Sequence, residues 1–284
     1  DLHLLSRRQR QMCIRDSFRT DARRKLDGKW GKAVCIVLAS LLISIAINAI
    51  QSIFPDDSLI SSVASLAAAI IEVPIQFGLI FAFLKLFLGE DVKAFDFLKL
   101  GFSDGNFSRS WKVSFSIFGQ LVLPIVLFVI AIVLIVFSVA GVAVSSTMPL
   151  VNSYSSSASY AYGLGALSGF SLVLFIAGMI LFIVSSILMA TRSYYYALSY
   201  FIAFENPSMT SKECVLKSKE LMIGNRGKLF CLQFSFIGWA ILATFTFGIG
   251  FLWLIPYMQF ATISFYKSLT SDNYVEVSDL GSEQ

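Results

Sequence analysis

Long apolar runs separated by short charged clusters set the pattern of this chain. The longest lies near its C-terminal end, where 38 residues between Lys228 and Lys267 carry no charge. A bilayer's hydrocarbon core is about 30 Å thick and takes about 20 helical residues at 1.5 Å each. The run is therefore too long for one span and suits two. Thr246-Phe247-Gly248-Ile249-Gly250 puts two glycines where a tight turn between antiparallel helices belongs, which predicts spans over 229–246 and 251–267.

The same reading gives four earlier spans, at 33–54, 60–88, 113–144 and 170–190. Ahead of the first, Ala22, Leu26 and Trp30 recur at helical spacing among six Lys/Arg in Phe18–Lys32, as in a helix lying at the interface. Pro55-Asp56-Asp57-Ser58 closes that span as a polar turn. Gly89–Lys112 mixes four basic and four acidic residues with Phe95, Phe97, Leu98, Phe102 and Phe107. It reads either as a short amphipathic element against the membrane or as a solvated loop. Ser145–Tyr162, with seven serines and no charge, predicts an exposed flexible loop.

After the fourth span, Tyr194, Tyr195, Tyr196 and Tyr200 suit an interfacial aromatic belt. Gly165 and Gly169 form a GxxxG, either a helix contact or a chance match. Thr210 and Glu213 have the spacing of a capping box, opening a helix that runs through Met222 and stops at Gly224. Ser268–Gln284 has four acids and no base, as in a poorly ordered polar tail.

Charge decides the orientation. Six Lys/Arg fall in Phe18–Lys32, four in Gly89–Lys112 and five in Lys212–Lys228, whereas the alternate connections around Asp56, around Ser155 and at Thr246–Gly250 hold none. The positive-inside rule then predicts an all-α, polytopic transmembrane helical bundle of six spans in three hairpins, with both termini cytoplasmic. A composition of 56% hydrophobic and 14% charged residues agrees with an integral membrane protein and makes nucleic acid an unsuitable partner. Residues 1–17 stand apart. Met12-Cys13-Ile14-Arg15-Asp16-Ser17 looks like the translation of a sequencing-library adapter, the alternative being a disordered basic tail. The domains expected are thus this segment, a membrane domain over 18–267 and a cytoplasmic tail over 268–284.

Basic or aromatic clusters precede the odd-numbered spans at Lys29-Trp30-Gly31-Lys32, Arg109-Ser110-Trp111-Lys112 and Arg226-Gly227-Lys228. Three hairpins could be three copies of one unit, although the fourth span lacks the proline that the second and sixth share. Asn206-Pro207, Ser218-Lys219-Glu220-Leu221-Met222, Leu229-Phe230, Ser235-Phe236-Ile237-Gly238-Trp239, Thr246–Gly250, Leu252-Trp253, Pro256-Tyr257 and Phe265-Tyr266 together resemble the bacterial domain of unknown function 975 family. Ala22–Lys32 resembles it more loosely. The resemblance implies a multi-span protein of the bacterial cytoplasmic membrane and carries over no activity or catalytic residue.

Candidate chemistry is sparse. The single histidine is His3, and Cys13, Cys35, Cys214 and Cys231 form no CxxC pair and read as free thiols. No catalytic, cofactor or metal site is predicted. Glu72 and Gln76 in the second span and Gln120 in the third are the intramembrane polar candidates, with Pro74, Pro124 and Pro256 as possible helix breaks. Ser61, Ser65, Ala68, Glu72 and Gln76 form a small, polar stripe, expected to face the bundle and opposite to Ile70, Val73, Phe77, Phe81 and Leu84. A charge at mid-span costs about 2.5–3.5 kcal/mol, so Glu72 is expected to hydrogen-bond to neighbouring spans, either locking their packing or serving a proton or cation. The chain accordingly reads as a non-catalytic membrane scaffold or envelope assembly component. Its partners would be the lipid bilayer and a membrane protein or second copy. The alternative is a transporter or lipid-handling protein with its polar site near Glu72.

Overall fold

A computed structural model describes residues 16–55, 59–103, 105–151 and 158–281, and the regular structure among them is helical throughout. The helices are α1 (16–26), α2 (Trp30–Gln51), α3 (Leu59–Leu88), α4 (Asp96–Phe102), α5 (Asn106–Val151), α6 (Ala158–Tyr196), α7 (Ser199–Glu205), α8 (Ser211–Met222), α9 (Arg226–Phe234), α10 (Ile237–Phe245) and α11 (Phe251–Gly281). They form two compact units, one comprising the residues through Ile117 and from Tyr194 onward, the other Phe118–Ser193.

The core of the first unit gathers around the second half of α3 and around α11. Along α3, Leu59, Ile60, Val63 and Leu66 are exposed, whereas Ile75, Phe77, Phe81, Phe83, Leu84 and Phe87 are buried. The aromatic side chains account for that division. Phe77 meets Tyr200 at 5.5 Å and Phe81 meets Phe204 at 4.5 Å between ring centroids, and Phe87 lies 5.5 Å from Phe260. Such pairs contribute about 0.5–1.5 kcal/mol each beyond the area they bury. Helix α4 packs along α3, with Phe97 and Gly101 buried, so 89–112 carries a short helix over Asp96–Phe102, held by protein contacts.

Helix α11 touches α2, α3, α9 and α10, and Leu254, Pro256, Tyr257, Phe260, Ala261, Ile263, Phe265 and Tyr266 are all buried. Helix α1 packs beside it as its periodicity predicts, with Ala22 and Leu26 inward. The Ser264 hydroxyl donates to Asp21 at 2.7 Å, and Lys29 Nζ donates to the Leu86 carbonyl at 3.0 Å.

In the second unit α5 and α6 run antiparallel. Gln120 meets Arg192, Phe128 meets Phe182, Ile135 meets Gly178, and Gly141 meets Ser171. As one member advances along α5, its partner retreats along α6. Apolar side chains such as Val126, Val133, Phe137, Val173, Ile180 and Ile187 remain exposed, which suits a lipid environment and not water.

Five stretches are long and apolar enough to cross a membrane: Trp30–Gln51, Leu59–Leu88, Asn106–Gly141, Gly169–Glu205 and Arg226–Phe245. The sixth predicted span, 251–267, is not among them. Tyr257, Gln259, Ser264 and Tyr266 dilute its apolar content, and a helix surrounded by protein does not need the hydropathy of one facing lipid.

Other expectations change as well. The serine-rich loop is shorter than predicted: α5 continues past Pro149 through Val151 and α6 resumes at Ala158. Positions 152–157 lie outside the described residues, as do 1–15. The expected tail is helical through Gly281 as part of α11. The predicted 229–246 span is divided at Ser235-Phe236 into α9 and α10. Helices α3, α5 and α11 run on through Pro74, Pro124 and Pro256, so none of the three ends a helix. Gly169 has open space where a Cβ would point; α5 and α6 approach closely at Gly141 and Gly178 instead. The capping box at Thr210 and Glu213 is present.

Candidate functional site

Glu72 and Gln76 lie one turn apart on α3, and both are exposed. The expectation that their stripe faces the bundle is therefore corrected at Ser65, Glu72 and Gln76, with Ser61 and Ala68 half-buried; of the opposite face Phe77, Phe81 and Leu84 are buried and Ile70 is exposed. Two phenylalanines and a leucine bury far more apolar area than serine and alanine, at about 25 cal/mol per Å². The helix turns that side to its neighbours. Gln120 belongs to the second unit, where its carbonyl oxygen accepts from Arg192 Nη1 at 3.0 Å. Pro74 is buried, and its carbonyl is the group that Gly101 approaches.

The polar constellation that does assemble centres on Arg109, in the first turn of α5. Its Nη2 donates to the carbonyls of Asn206 at 2.7 Å and Met209 at 3.1 Å, and its Nη1 donates to that of Pro207. These carbonyls follow the C-terminal end of α7, where a helix leaves acceptors without intrahelical donors and its dipole favours a cation. Immediately beyond them, the Thr210 amide donates to Glu213 at 2.8 Å and the Glu213 amide to Thr210 Oγ1 at 3.4 Å, which starts α8. Arg109 thus holds the α7–α8 connection from outside it. A cleft of about 580 Å³ opens beside it, lined by Phe81, Asn106, Lys112, Phe204 and Thr210 among others. Cys214, buried on α8, places Sγ 3.9 Å from Arg109 Nη2. Burial pushes its thiol pKa up, against the smaller pull of the guanidinium.

Three further ties join the same end of the unit. Glu205 accepts from the Tyr266 hydroxyl at 2.7 Å and pairs with Lys267, linking α7 to α11. Ser218, fully buried, donates to the Tyr195 carbonyl at 2.9 Å and accepts from the Leu198 amide at 3.2 Å, linking α8 to the α6–α7 junction. Lys32 and Asp91 pair at 2.6 Å, and the lysine holds that carboxyl below the usual range. Among the described residues no three His, Cys, Asp or Glu side chains gather as a metal site would require, and Cys35, Cys214 and Cys231 are free thiols. Cys13 lies outside the described residues.

In the sequence Arg109 belongs to a basic cluster, and nothing nearby marks a partner for it or for Glu205. Their partners stand 97 and 62 positions away in the chain, and no local pattern encodes that distance.

A family model described as "Protein of unknown function (DUF975)" matches residues 12–273. No curated protein and no solved structure matches the chain.

Proposed function

The chain belongs to the DUF975 family of proteins of unknown function, so its role rests on its own geometry, and we propose a non-catalytic scaffold or assembly component of the bacterial cytoplasmic membrane. In this reading it is multi-pass with both ends cytoplasmic, because every Lys/Arg-rich connection falls on one set of alternate segments. An even number of crossings satisfies that segregation: six if the 229–267 hairpin crosses the bilayer, four if it turns back within it.

The observation that carries the scaffold reading is the set of ties at the basic end. Arg109 clamps three carbonyls between α7 and α8, Glu205 joins α7 to α11, and Ser218 joins α8 to the α6–α7 junction. Together they make one fixed layer, from which α8 presents Lys212, Lys217 and Lys219 as exposed cations. A fixed charged face suits the docking of a partner, whereas alternating access needs elements with two arrangements. The exposure of Glu72 also removes the main support for a transport site near it.

Affinity purification of the full chain from membranes tests this. A stoichiometric membrane-protein partner or second copy is expected, and it should be lost when Lys212, Lys217 and Lys219 are changed to Glu with the fold intact. Solute flux in proteoliposomes without any retained partner would overturn the reading. Lipid handling is the second reading, favoured by an aromatic groove that runs between the basic α1 and the α10–α11 turn.

A further inference from the structure

The hairpin of α10 and α11 is built as an object that sits in hydrocarbon. Every backbone N–H from Thr246 to Leu254 is donated within the turn, including Phe247 to the Thr244 carbonyl, Gly248 to that of Ala243, Phe251 to that of Gly248, and Gly250 to Thr246 Oγ1 at 2.9 Å. A turn in water can leave such groups to solvent, whereas one in lipid must satisfy them internally. The side chains agree. Phe247 is 99% exposed and Phe245 79% exposed, with Ile249, Leu242, Trp239 and Trp253 also largely uncovered.

The base of this hairpin is marked by charge. Phe236 and Tyr257 pair across it at 5.1 Å, and there α1 crosses: Arg19 stands over the Phe236 ring at 5.5 Å and Arg23 over the Tyr257 ring at 5.4 Å. From Phe236 at the base, α10 rises through nine residues to Phe245, about 14 Å at 1.5 Å each and close to half the hydrocarbon thickness. A groove of about 410 Å³ runs along this length. Its walls are Trp30, Trp239, Leu242, Trp253, Leu254 and Tyr257, with Thr246 and Gly250 near the turn and Arg23 lining it as well. Three of the chain's four tryptophans line this one groove.

We propose that this groove binds one acyl chain of an anionic phospholipid from the leaflet that α1 faces, with the lipid phosphate held at Arg23 and Arg19. An apolar slot one leaflet deep matches a single chain. Tryptophans and a tyrosine suit the headgroup boundary, and a guanidinium at the base supplies forked donors for phosphate. Arg23 is exposed and makes no ion pair among the described residues, so it is available to an anionic headgroup. The site rests on the cytoplasmic placement of the basic end proposed above.

Native mass spectrometry of the full chain in mild detergent, titrated with phosphatidylglycerol and with phosphatidylcholine of the same chain length, tests the site. The intact chain should favour phosphatidylglycerol by about tenfold or more. Arg23→Gln should bring the two lipids level, and Leu242→Trp, which fills the groove from an exposed position, should weaken both. Millimolar inorganic phosphate should not displace the lipid. Equal affinity of the intact chain for both lipids, or a preference that survives Arg23→Gln, would overturn the proposal, and displacement by inorganic phosphate would reduce it to an anion site without an acyl chain. Cysteine labelling at Lys217 reports separately on the placement of the basic end. Normal labelling with lost lipid preference sinks the lipid site alone, and labelling from the outer side sinks the topology.

Discussion

Gly78 on α3 and Gly101 on α4 meet backbone to backbone. A Cβ on Gly78 would stand 2.0 Å from the Phe97 carbonyl oxygen, and one on Gly101 would stand 2.2 Å from that of Pro74. No side chain can enter there, and the obstructing atoms are main chain, which cannot rotate away. Gly78→Ala and Gly101→Ala are each expected to destabilise the protein by about 1–3 kcal/mol or more, the usual range for overpacking. Gly238→Ala, with nothing within 4 Å of its Cβ, is the control and should be neutral or slightly stabilising. Thermal unfolding in detergent measures all three. An unchanged midpoint for Gly78→Ala would show that α4 does not pack as described.

Arg109→Ala should cost about 1.5–3 kcal/mol, because it removes charge-assisted hydrogen bonds to the carbonyls of Asn206, Pro207 and Met209. Arg109→Lys should recover less than half of this, since one ammonium cannot reproduce the fork. Limited proteolysis provides a local readout, and cleavage near 206–210 should rise in both variants. Full recovery by lysine would mean that charge alone matters.

Cys214 gives a pH dependence of defined sign. Its folded-state pKa is raised, mainly by burial, so folding favours the neutral thiol. That contribution is present below the ordinary thiol pKa and is lost as pH rises through the raised one. Above about pH 8.5, the ordinary thiol value, the unfolding midpoint of the intact chain should therefore fall more steeply with pH than that of Cys214→Ala. Parallel curves for the two would count against the burial of this thiol.

Glu72→Gln should leave folding stability within about 0.5 kcal/mol, as is usual for exposed positions away from packed features. Chemical denaturation measures it. A loss of several kcal/mol would restore the view that this acid locks the packing of neighbouring helices.

For topology, single cysteines are introduced into a chain lacking its own. One at position 155 should react with an impermeant maleimide from outside intact cells, and those replacing Lys217 and Ser271, both exposed, should react only after permeabilisation. The reverse pattern would overturn the proposed orientation.

Read alone, the residues determine that this is a helical membrane protein and roughly where its long helices lie. Run length against bilayer thickness, lysine and arginine placement, and the capping box at Thr210 and Glu213 are local signals, legible because each depends on neighbours a few positions away. Tertiary structure decided the rest. Which side of α3 turns inward was settled by Phe77 and Phe81 finding Tyr200 and Phe204, since amphipathicity marks two faces without saying what each will meet. Helix α11 is less apolar over 251–267 than the other long helices and stands at the centre of its unit, because burial by protein tolerates polar side chains that lipid does not. The Arg109 clamp and the groove beneath Arg23 were invisible for the same reason: each joins elements far apart in the chain, and only packing brings their chemistry to one place.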